Sequence, residues 1–160
     1  MHWRGNGLVR RVRTTLVILM GLFFVPLLTA CDQTPSSDDL VQKDGPYGLY
    51  YKEGSDTPYT GNVEDYYENG TLREKKTYKD GKEEGPSEGY FDNGQLEMKG
   101  NSKNGKLEGP YEVYYENGQL WRKGTYKGGL KEGPWVVFTE DGEMYKKDSG
   151  TYRNNEKISD

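Results

Sequence analysis

The sequence predicts an all-β protein: an elongated, single-layer antiparallel meander of β-hairpin repeats, preceded by a helical signal peptide. A 24-residue unit occurs four times in phase, starting at Gly61, Gly85, Gly109 and Gly133. Each unit contains two turn-forming dipeptides, which divide it into two short strands. Aliphatic residues are few, whereas the chain has 14 tyrosines, so a thin sheet covered by tyrosines is favoured over a thick sandwich core.

Residues 1–30 are predicted to be a lipoprotein signal peptide. Four arginines and no acidic residue precede an apolar stretch that is shorter than the roughly 20 residues of a membrane span. Leu28, Thr29 and Ala30 form the expected cleavage motif, because together with Cys31 they resemble the lipobox of bacterial lipoproteins. The resemblance implies cleavage before Cys31, the only cysteine, and a covalent lipid on its thiol.

The lipid on Cys31 is expected to hold the mature protein on a bacterial cell membrane, facing the periplasm or the exterior. Asp32 follows the cysteine directly. An aspartate at this place resembles the signal that retains enterobacterial lipoproteins in the inner membrane, so Asp32 favours that membrane. The alternative is that Asp32 simply opens an acidic tether.

The rest of the chain is divided by composition. Residues 31–44 contain the lipidated cysteine and a polar stretch, predicted to be a flexible tether. Residues 45–60 echo the opening of the repeat over a shorter distance and are predicted to be an N-terminal cap. Residues 61–157 hold the four hairpin repeats, with two extra residues in the fourth that predict a bulge or a terminal cap. Residues 158–160 are a short tail.

The first turn of each repeat sets the predicted strand register. Asn117-Gly118 and its equivalents predict a two-residue type I′ loop, because Asn, Asp and Gly tolerate the positive φ that both central residues need. The predicted partners in the third repeat are Tyr115 with Leu120, Tyr114 with Trp121, and Glu112 with Lys123. The equivalent charged pairs in the first two repeats are Glu64 with Lys75 and Glu88 with Lys99.

The same register predicts two unlike faces. One face carries Tyr111, Val113 and Tyr115, with Tyr111 opposite Gly124 as an aromatic cover for a strand glycine. The other face carries charged residues with aromatic residues among them. The second face is the candidate binding surface.

Composition excludes several classes of function. With four basic residues lost in the signal peptide, the mature chain has 18 basic and 26 acidic residues, a charge of −8, which argues against nucleic-acid binding. The only histidine, His2, is lost as well, so the usual triads and zinc ligands are missing. We therefore expect no enzyme, no metal and no cofactor other than the covalent lipid.

The repeat resembles the MORN-variant repeat, in particular the bacterial YwqK-like antitoxin family. The residues that carry the resemblance are Tyr66-Tyr67-Glu68-Asn69-Gly70-Thr71-Leu72, Tyr114-Tyr115-Glu116-Asn117-Gly118-Gln119-Leu120 and Gly124-Thr125-Tyr126-Lys127. It implies a stack of hairpins over roughly residues 45–157 and neutralisation of a toxin partner by direct binding. An exported, lipid-anchored chain departs from a cytoplasmic antitoxin, so an immunity-like or scaffold role at the envelope is expected instead.

Three classes of function remain for the repeats, and the third is an enzyme, for which paired carboxylates would be the available catalytic groups. The first is a membrane-anchored protein-interaction module with an unidentified protein partner, such as a toxin, since Tyr and Trp dominate binding hot spots. The second is a glycan or cell-wall binding module, in which the aromatic rings stack on sugars. The candidate surface residues are Tyr66, Tyr90, Tyr114, Trp121 and Trp135. The alternative for each of them is that it only packs the sheet.

Overall fold

The fold is a single antiparallel sheet whose strands follow one another almost in chain order, as predicted. The computed structural model describes residues 34–43 and 48–160; the predicted signal peptide, the cleavage motif and Cys31 lie outside them. The strands of these described residues are β1 (Leu40–Gln42), β2 (Tyr50–Lys52), β3 (Gly61–Tyr66), β4 (Leu72–Lys79), β5 (Lys82–Tyr90), β6 (Leu96–Lys103), β7 (Lys106–Leu107), β8 (Gly109–Tyr114), β9 (Leu120–Lys127), β10 (Leu130–Val137), β11 (Gly150–Arg153) and β12 (Glu156–Ser159).

Strands β3 to β12 form the main sheet, and β1 pairs separately with β2. The strand order runs from β3 at one edge to β12 at the other, and only the two-residue β7 lies off this path, beside β6. A short 3-10 helix, Ser37–Asp39, precedes β1. The architecture therefore needs only local hairpin connections, which the regular spacing of turn residues supplies.

The first turn of each repeat does not have the predicted geometry. At Asn117-Gly118 only the glycine has positive φ (+83°), and Tyr115 pairs with Gln119 across a three-residue loop. The predicted type I′ loop at this dipeptide and its equivalents is therefore wrong. Both central residues have positive φ in the second turn of a repeat, as at Asn104-Gly105 (+51° and +76°).

The side chain of the turn asparagine explains this choice. Asn117 Oδ1 accepts the backbone N–H of Gln119 at 2.9 Å, which stabilises the three-residue loop. Its amide also donates to the carbonyl of Glu140, in the turn of the next repeat, at 3.3 Å. Asn69 makes the same kind of bond to Asp92 at 2.9 Å. The asparagine thus joins neighbouring hairpins.

The longer loop changes the register near each turn. Tyr114 lies opposite Leu120, so the predicted pairs Tyr115 with Leu120 and Tyr114 with Trp121 are wrong. An irregularity between Val113 and Tyr114 then takes up one residue, Trp121, on β9. Beyond it the predicted pairing returns. The confirmed pairs are Glu112 with Lys123, Glu64 with Lys75, and Glu88 with Lys99.

One face of the C-terminal half is covered by an aromatic cluster, which consists of Tyr111, Tyr126, Trp135 and Tyr152. Trp135 is only 2% exposed, and its ring centroid lies 5.0 Å from that of Tyr126 and 6.4 Å from that of Tyr152. The ring lies directly on Gly124, where an added Cβ would be 2.2 Å from it. Tyr111 is paired with Gly124 in the register, but its ring lies over Gly100, so the predicted cover of Gly124 by Tyr111 is wrong and Trp135 provides that cover instead. Such close approach of a ring to the backbone requires glycine.

The four repeats meet at three junctions, and at two of them a tyrosine hydroxyl bonds to a backbone carbonyl of the next repeat. Tyr67 donates its hydroxyl to the carbonyl of Tyr90 at 2.7 Å, and Tyr115 donates to that of Phe138 at 2.9 Å. The equivalent residue of the second repeat is Phe91, which has no hydroxyl. The junction between the second and third repeats, where β6 meets β8, therefore lacks this bond.

The polar stretch after Cys31 is ordered against the sheet. Pro35 accepts the backbone N–H of Glu64 on edge strand β3 at 3.0 Å, and Ser37 donates its N–H to the buried Asp65 at 2.8 Å. Leu40 pairs with Lys52 in the β1–β2 hairpin. The predicted flexible tether over 31–44 is therefore wrong for residues 34–43, because polar backbone and side-chain groups of β3 hold this segment.

Candidate functional site

A row of alternating charges crosses the sheet on the face opposite the aromatic cluster. Cross-strand pairing places its members side by side on successive strands from β3 to β9. We call this row the charge ladder, and its members are Glu64, Lys75, Glu88, Lys99, Glu112 and Lys123. Opposite charges directly across a strand pair contribute roughly 0.2–1 kcal/mol each.

The ladder contains close ion pairs. Lys75 Nζ lies 3.2 Å from Glu64 Oε1, and Lys99 Nζ lies 2.9 Å from Glu112 Oε2. Lys99 forms its ion pair with Glu112, on the next repeat, although it also lies opposite Glu88 within its own hairpin. The ladder therefore connects repeats as well as strands.

Each glutamate of the ladder accepts a hydroxyl from the tyrosine two residues later. Tyr66 donates to Glu64 at 2.8 Å and Tyr90 to Glu88 at 2.8 Å, and Tyr114 donates to Glu112 in the same way. Residues two apart on a strand lie on one face, which explains the repetition. The charge ladder and these three tyrosines together form the surface that we call the ladder face.

These bonds shift the ionisation of the groups that make them. The Tyr114 hydroxyl, followed by the Lys99 ammonium, holds the pKa of Glu112 below its usual value. Tyr66 and then Lys75 lower the pKa of Glu64 in the same way. The bond to Glu112 is also the main cause that raises the pKa of Lys99. Glu64, Glu112 and Lys99 therefore keep their charges at neutral pH.

The fourth repeat does not continue the ladder. Lys123 pairs with Val136, which takes the place of the glutamate, and Phe138 takes the place of the tyrosine. Both partners of the hydroxyl–carboxylate bond are thus replaced by apolar residues together. The ladder face extends over the first three repeats.

The predicted surface residues do not all lie on this face. Tyr66 is 56% exposed, and Tyr90 and Tyr114 are half-buried beside their glutamates. Trp121 is 37% exposed at the irregular position of β9, with its ring 4.6 Å from the Arg122 guanidinium. Trp135 does not belong to the surface, because it is buried in the aromatic cluster on the other face.

The 24-residue period already indicates that Trp135 lies on the apolar face and not on the candidate binding surface. Trp135 follows Tyr111 by one period, and the sequence already places Tyr111 on the apolar face. Equivalent positions lie on the same face when the register is kept. The hydroxyl–glutamate bonds could be found in the same way, since Glu and Tyr recur two residues apart in three repeats.

Two shallow hollows lie on the ladder face at equivalent places. One, of about 220 Å³, lies between Pro86 and Pro110, and the other, of about 260 Å³, between Pro110 and Pro134. Glu112 contributes to the wall of both. Their separation of two strands corresponds to roughly 10 Å at the usual strand spacing.

No group of three or more His, Cys, Asp or Glu side chains within residues 34–43 and 48–160 is arranged to hold a metal ion. Over the same residues, the protein has no helix of sufficient length and apolar character to cross a membrane.

The hairpins repeated in phase, joined by side-chain bonds between equivalent turns, define a β-hairpin repeat protein. Comparison with protein families agrees and gives the kind of repeat. Residues 59–80, 83–104 and 107–127 match the MORN repeat variant, and the matched segments begin 24 residues apart. Three consecutive repeats of the chain are thus similar to the MORN repeat variant. No curated protein matches the chain.

Proposed function

We propose that the protein is a non-enzymatic, membrane-anchored lipoprotein whose ladder face binds another protein. The observation that carries the proposal is the threefold repetition of the same tyrosine, glutamate and lysine arrangement on one open face. MORN-variant repeats are compatible with such a binding role. The lack of histidine after His2 and of a second cysteine supports a role without catalysis.

The arrangement suits a protein partner for two physical reasons. Tyrosine supplies a large contact area, and the bonds to Glu64, Glu88 and Glu112 hold the rings before binding, which reduces the entropy lost in the complex. Alternating charges provide a pattern that only a complementary surface can match, so they favour specificity over raw affinity. An antitoxin or immunity-like role, in which the partner is a toxin, fits such a surface.

The anchor rests on Cys31 and the lipobox before it, with Asp32 favouring the inner membrane. Thr34 follows Cys31 by three residues, and Pro35 already contacts β3. A lipid on Cys31 would therefore attach the chain to the bilayer three residues before the first residue that the structure describes.

The second candidate is a glycan or cell-wall ligand. The two equivalent hollows between prolines favour it, because a polymer with a regular repeat could occupy both. The burial of Trp135 removes one of the rings on which sugar stacking would depend. The charge ladder is also better matched by a protein, so this function ranks second.

In-cell photo-crosslinking tests the choice of partner. A photoreactive phenylalanine derivative replaces Tyr114 in the full chain, and the matched control carries it at Glu53, an exposed residue away from the ladder face. We expect a discrete protein adduct from position 114 that is missing from position 53. A heterogeneous ladder of adducts that collapses on lysozyme treatment would instead support the glycan candidate. Equal adducts from both positions would contradict the role of the ladder face.

The anchor is tested separately with Cys31→Ser. We expect an unprocessed precursor without lipid, detected by mass and by the loss of lipid labelling. Normal processing and unchanged membrane attachment of this variant would contradict the lipoprotein assignment, whatever the crosslinking shows.

A further inference from the structure

A cavity of about 730 Å³ lies at the C-terminal end of the sheet. Its apolar lining includes Val136 and Met144, and its polar lining includes Lys146, Lys147 and Lys157. A volume of this size is typical of small-molecule sites in proteins.

The cavity exists because the fourth repeat departs from the others. Val136 occupies the place of the ladder glutamate, so the floor carries no carboxylate there. The two extra residues, Asp148 and Ser149, make a turn in which both their backbone N–H groups bond to the carbonyl of Tyr145. Lys147, which takes the place of the ladder lysine by sequence, therefore lies in this turn and not on a paired strand.

The charged groups of the cavity lining are three lysines and one carboxylate, that of Asp160. Lys157 bonds to Asp160 at 2.6 Å and to the carbonyl of Lys147 at 2.9 Å, so the carboxylate is paired with this lysine. Neither Lys146 nor Lys147 forms an ion pair with any residue that the structure describes. Two ammonium groups without a counter-ion thus stand at the rim of a cavity with an apolar floor.

The geometry points to this cavity as the binding site of a small amphipathic anion, a carboxylate or phosphate ester attached to an apolar group. The anionic group would contact Lys146 and Lys147, because charge-assisted hydrogen bonds to an ammonium are among the stronger polar contacts. The apolar group would cover Val136 and the side chain of Met144, which is 55% exposed. The site lies next to the ladder face, because Pro134 and Val136 line both this cavity and the hollow between Pro110 and Pro134, but it does not require the partner proposed for that face.

Lysine footprinting on the full chain in phosphatidylcholine nanodiscs tests the site with hexyl phosphate as the probe. The acetylation rate of each lysine is measured by mass spectrometry as the probe concentration rises. We expect saturable protection of Lys146, Lys147 and Lys157, the three lysines of the lining, while Lys79 and Lys82, an adjacent exposed pair on another turn, are not protected. Inorganic phosphate and hexyltrimethylammonium should protect neither group of lysines.

Two variants and a matched control test which residues bind the probe. The double variant K146Q/K147Q should weaken binding about 5-fold, as expected for two exposed charged contacts, measured as loss of protection at Lys157. V136E places in the floor the residue that three other repeats carry there, and its like charge should weaken binding by about 10-fold or more. The control K79Q/K82Q should leave the affinity unchanged.

Nanodiscs that contain phosphatidylglycerol distinguish the source of the anion. Protection by these nanodiscs without added probe would assign a lipid headgroup, and protection by the free probe alone would assign a soluble molecule. The proposal would be overturned by three results: no saturable protection, equal protection by inorganic phosphate, or unchanged affinity in V136E.

Discussion

Gly124→Ala should be among the most damaging single-methyl substitutions in this protein. The added Cβ would lie 2.2 Å from Trp135 Cδ2, and ordinary contact begins near 3.4 Å, so the indole must retreat by about 1.2 Å. Its neighbours Tyr126 and Tyr152 confine the ring, and its N–H donates to the carbonyl of Thr125 at 3.2 Å.

The expected cost follows from these contacts. Overpacking of a filled site costs about 1–3 kcal/mol. Partial loss of the Trp135 hydrogen bond adds up to about 1 kcal/mol. Alanine also lowers the conformational entropy of the unfolded chain, which offsets about 0.4–1 kcal/mol of this loss. This offset applies because Gly124 does not have positive φ, so alanine can adopt its backbone conformation. The free energy of unfolding should therefore fall by about 2 kcal/mol, near the middle of the range of roughly 0–3.6 kcal/mol that these contributions span.

Urea unfolding followed by circular dichroism measures this loss. A decrease of about 2 kcal/mol lowers the midpoint by roughly 0.7–2 M for a small domain. Gly100→Ala is the matched control, because its Cβ would meet Tyr111 at the longer distance of 2.8 Å, and it should cost less. In a Trp135→Tyr background, which carries the residue of the preceding repeat, Gly124→Ala should cost at least about 1 kcal/mol less. Equal costs in both backgrounds would refute the steric reasoning.

Three further predictions concern the bonds that join the sheet. Tyr114→Phe should raise the pKa of Glu112, followed by NMR titration, since the hydroxyl is the main cause that lowers it. Because the pKa of Glu112 is lowered in the folded protein, its contribution to stability is present above the unfolded pKa and disappears as the pH falls through the folded pKa. In the variant, the free energy of unfolding should therefore decrease less over this pH range. An unchanged titration of Glu112 would contradict this prediction. Phe91→Tyr should raise the free energy of unfolding by about 0.5–1.5 kcal/mol by restoring the missing hydroxyl bond between repeats, with Tyr67→Phe losing a similar amount. Asp65→Ala should speed hydrogen exchange at the Glu64 amide, because it removes the acceptor that holds Ser37. The control Asp56→Ala changes an exposed residue and should leave this exchange rate unchanged. Equal rates in the two variants would contradict the packing of residues 34–39 against β3.

The hairpin meander could be predicted because its determinants are local. Turn dipeptides recur at fixed spacing, and the side chains of a strand alternate between faces, so hairpins and faces follow from the sequence. The pairing of Glu112 with Lys123 was predicted through a wrong turn type. The longer loop and the irregularity at Trp121 compensate each other, and the register returns beyond them.

The parts that could not be predicted depend on contacts between distant residues. Nothing local in the segment around Pro35 shows that Glu64 and Asp65 bind it, since composition alone predicts a tether there. The turn geometry at Asn117 is stabilised in part by the carbonyl of Glu140, which belongs to the next repeat. Tertiary contacts of this kind override local turn preferences.

The two edges of the sheet differ in a way that limits self-association. At β3 the segment around Pro35 occupies the edge, whereas β12 has no strand partner on its outer side among the described residues. Hydrogen-bonded growth into a fibre requires two open edges on every molecule. Two copies that joined through β12 could not extend the sheet at β3 in the same way, because the segment around Pro35 lies at that edge.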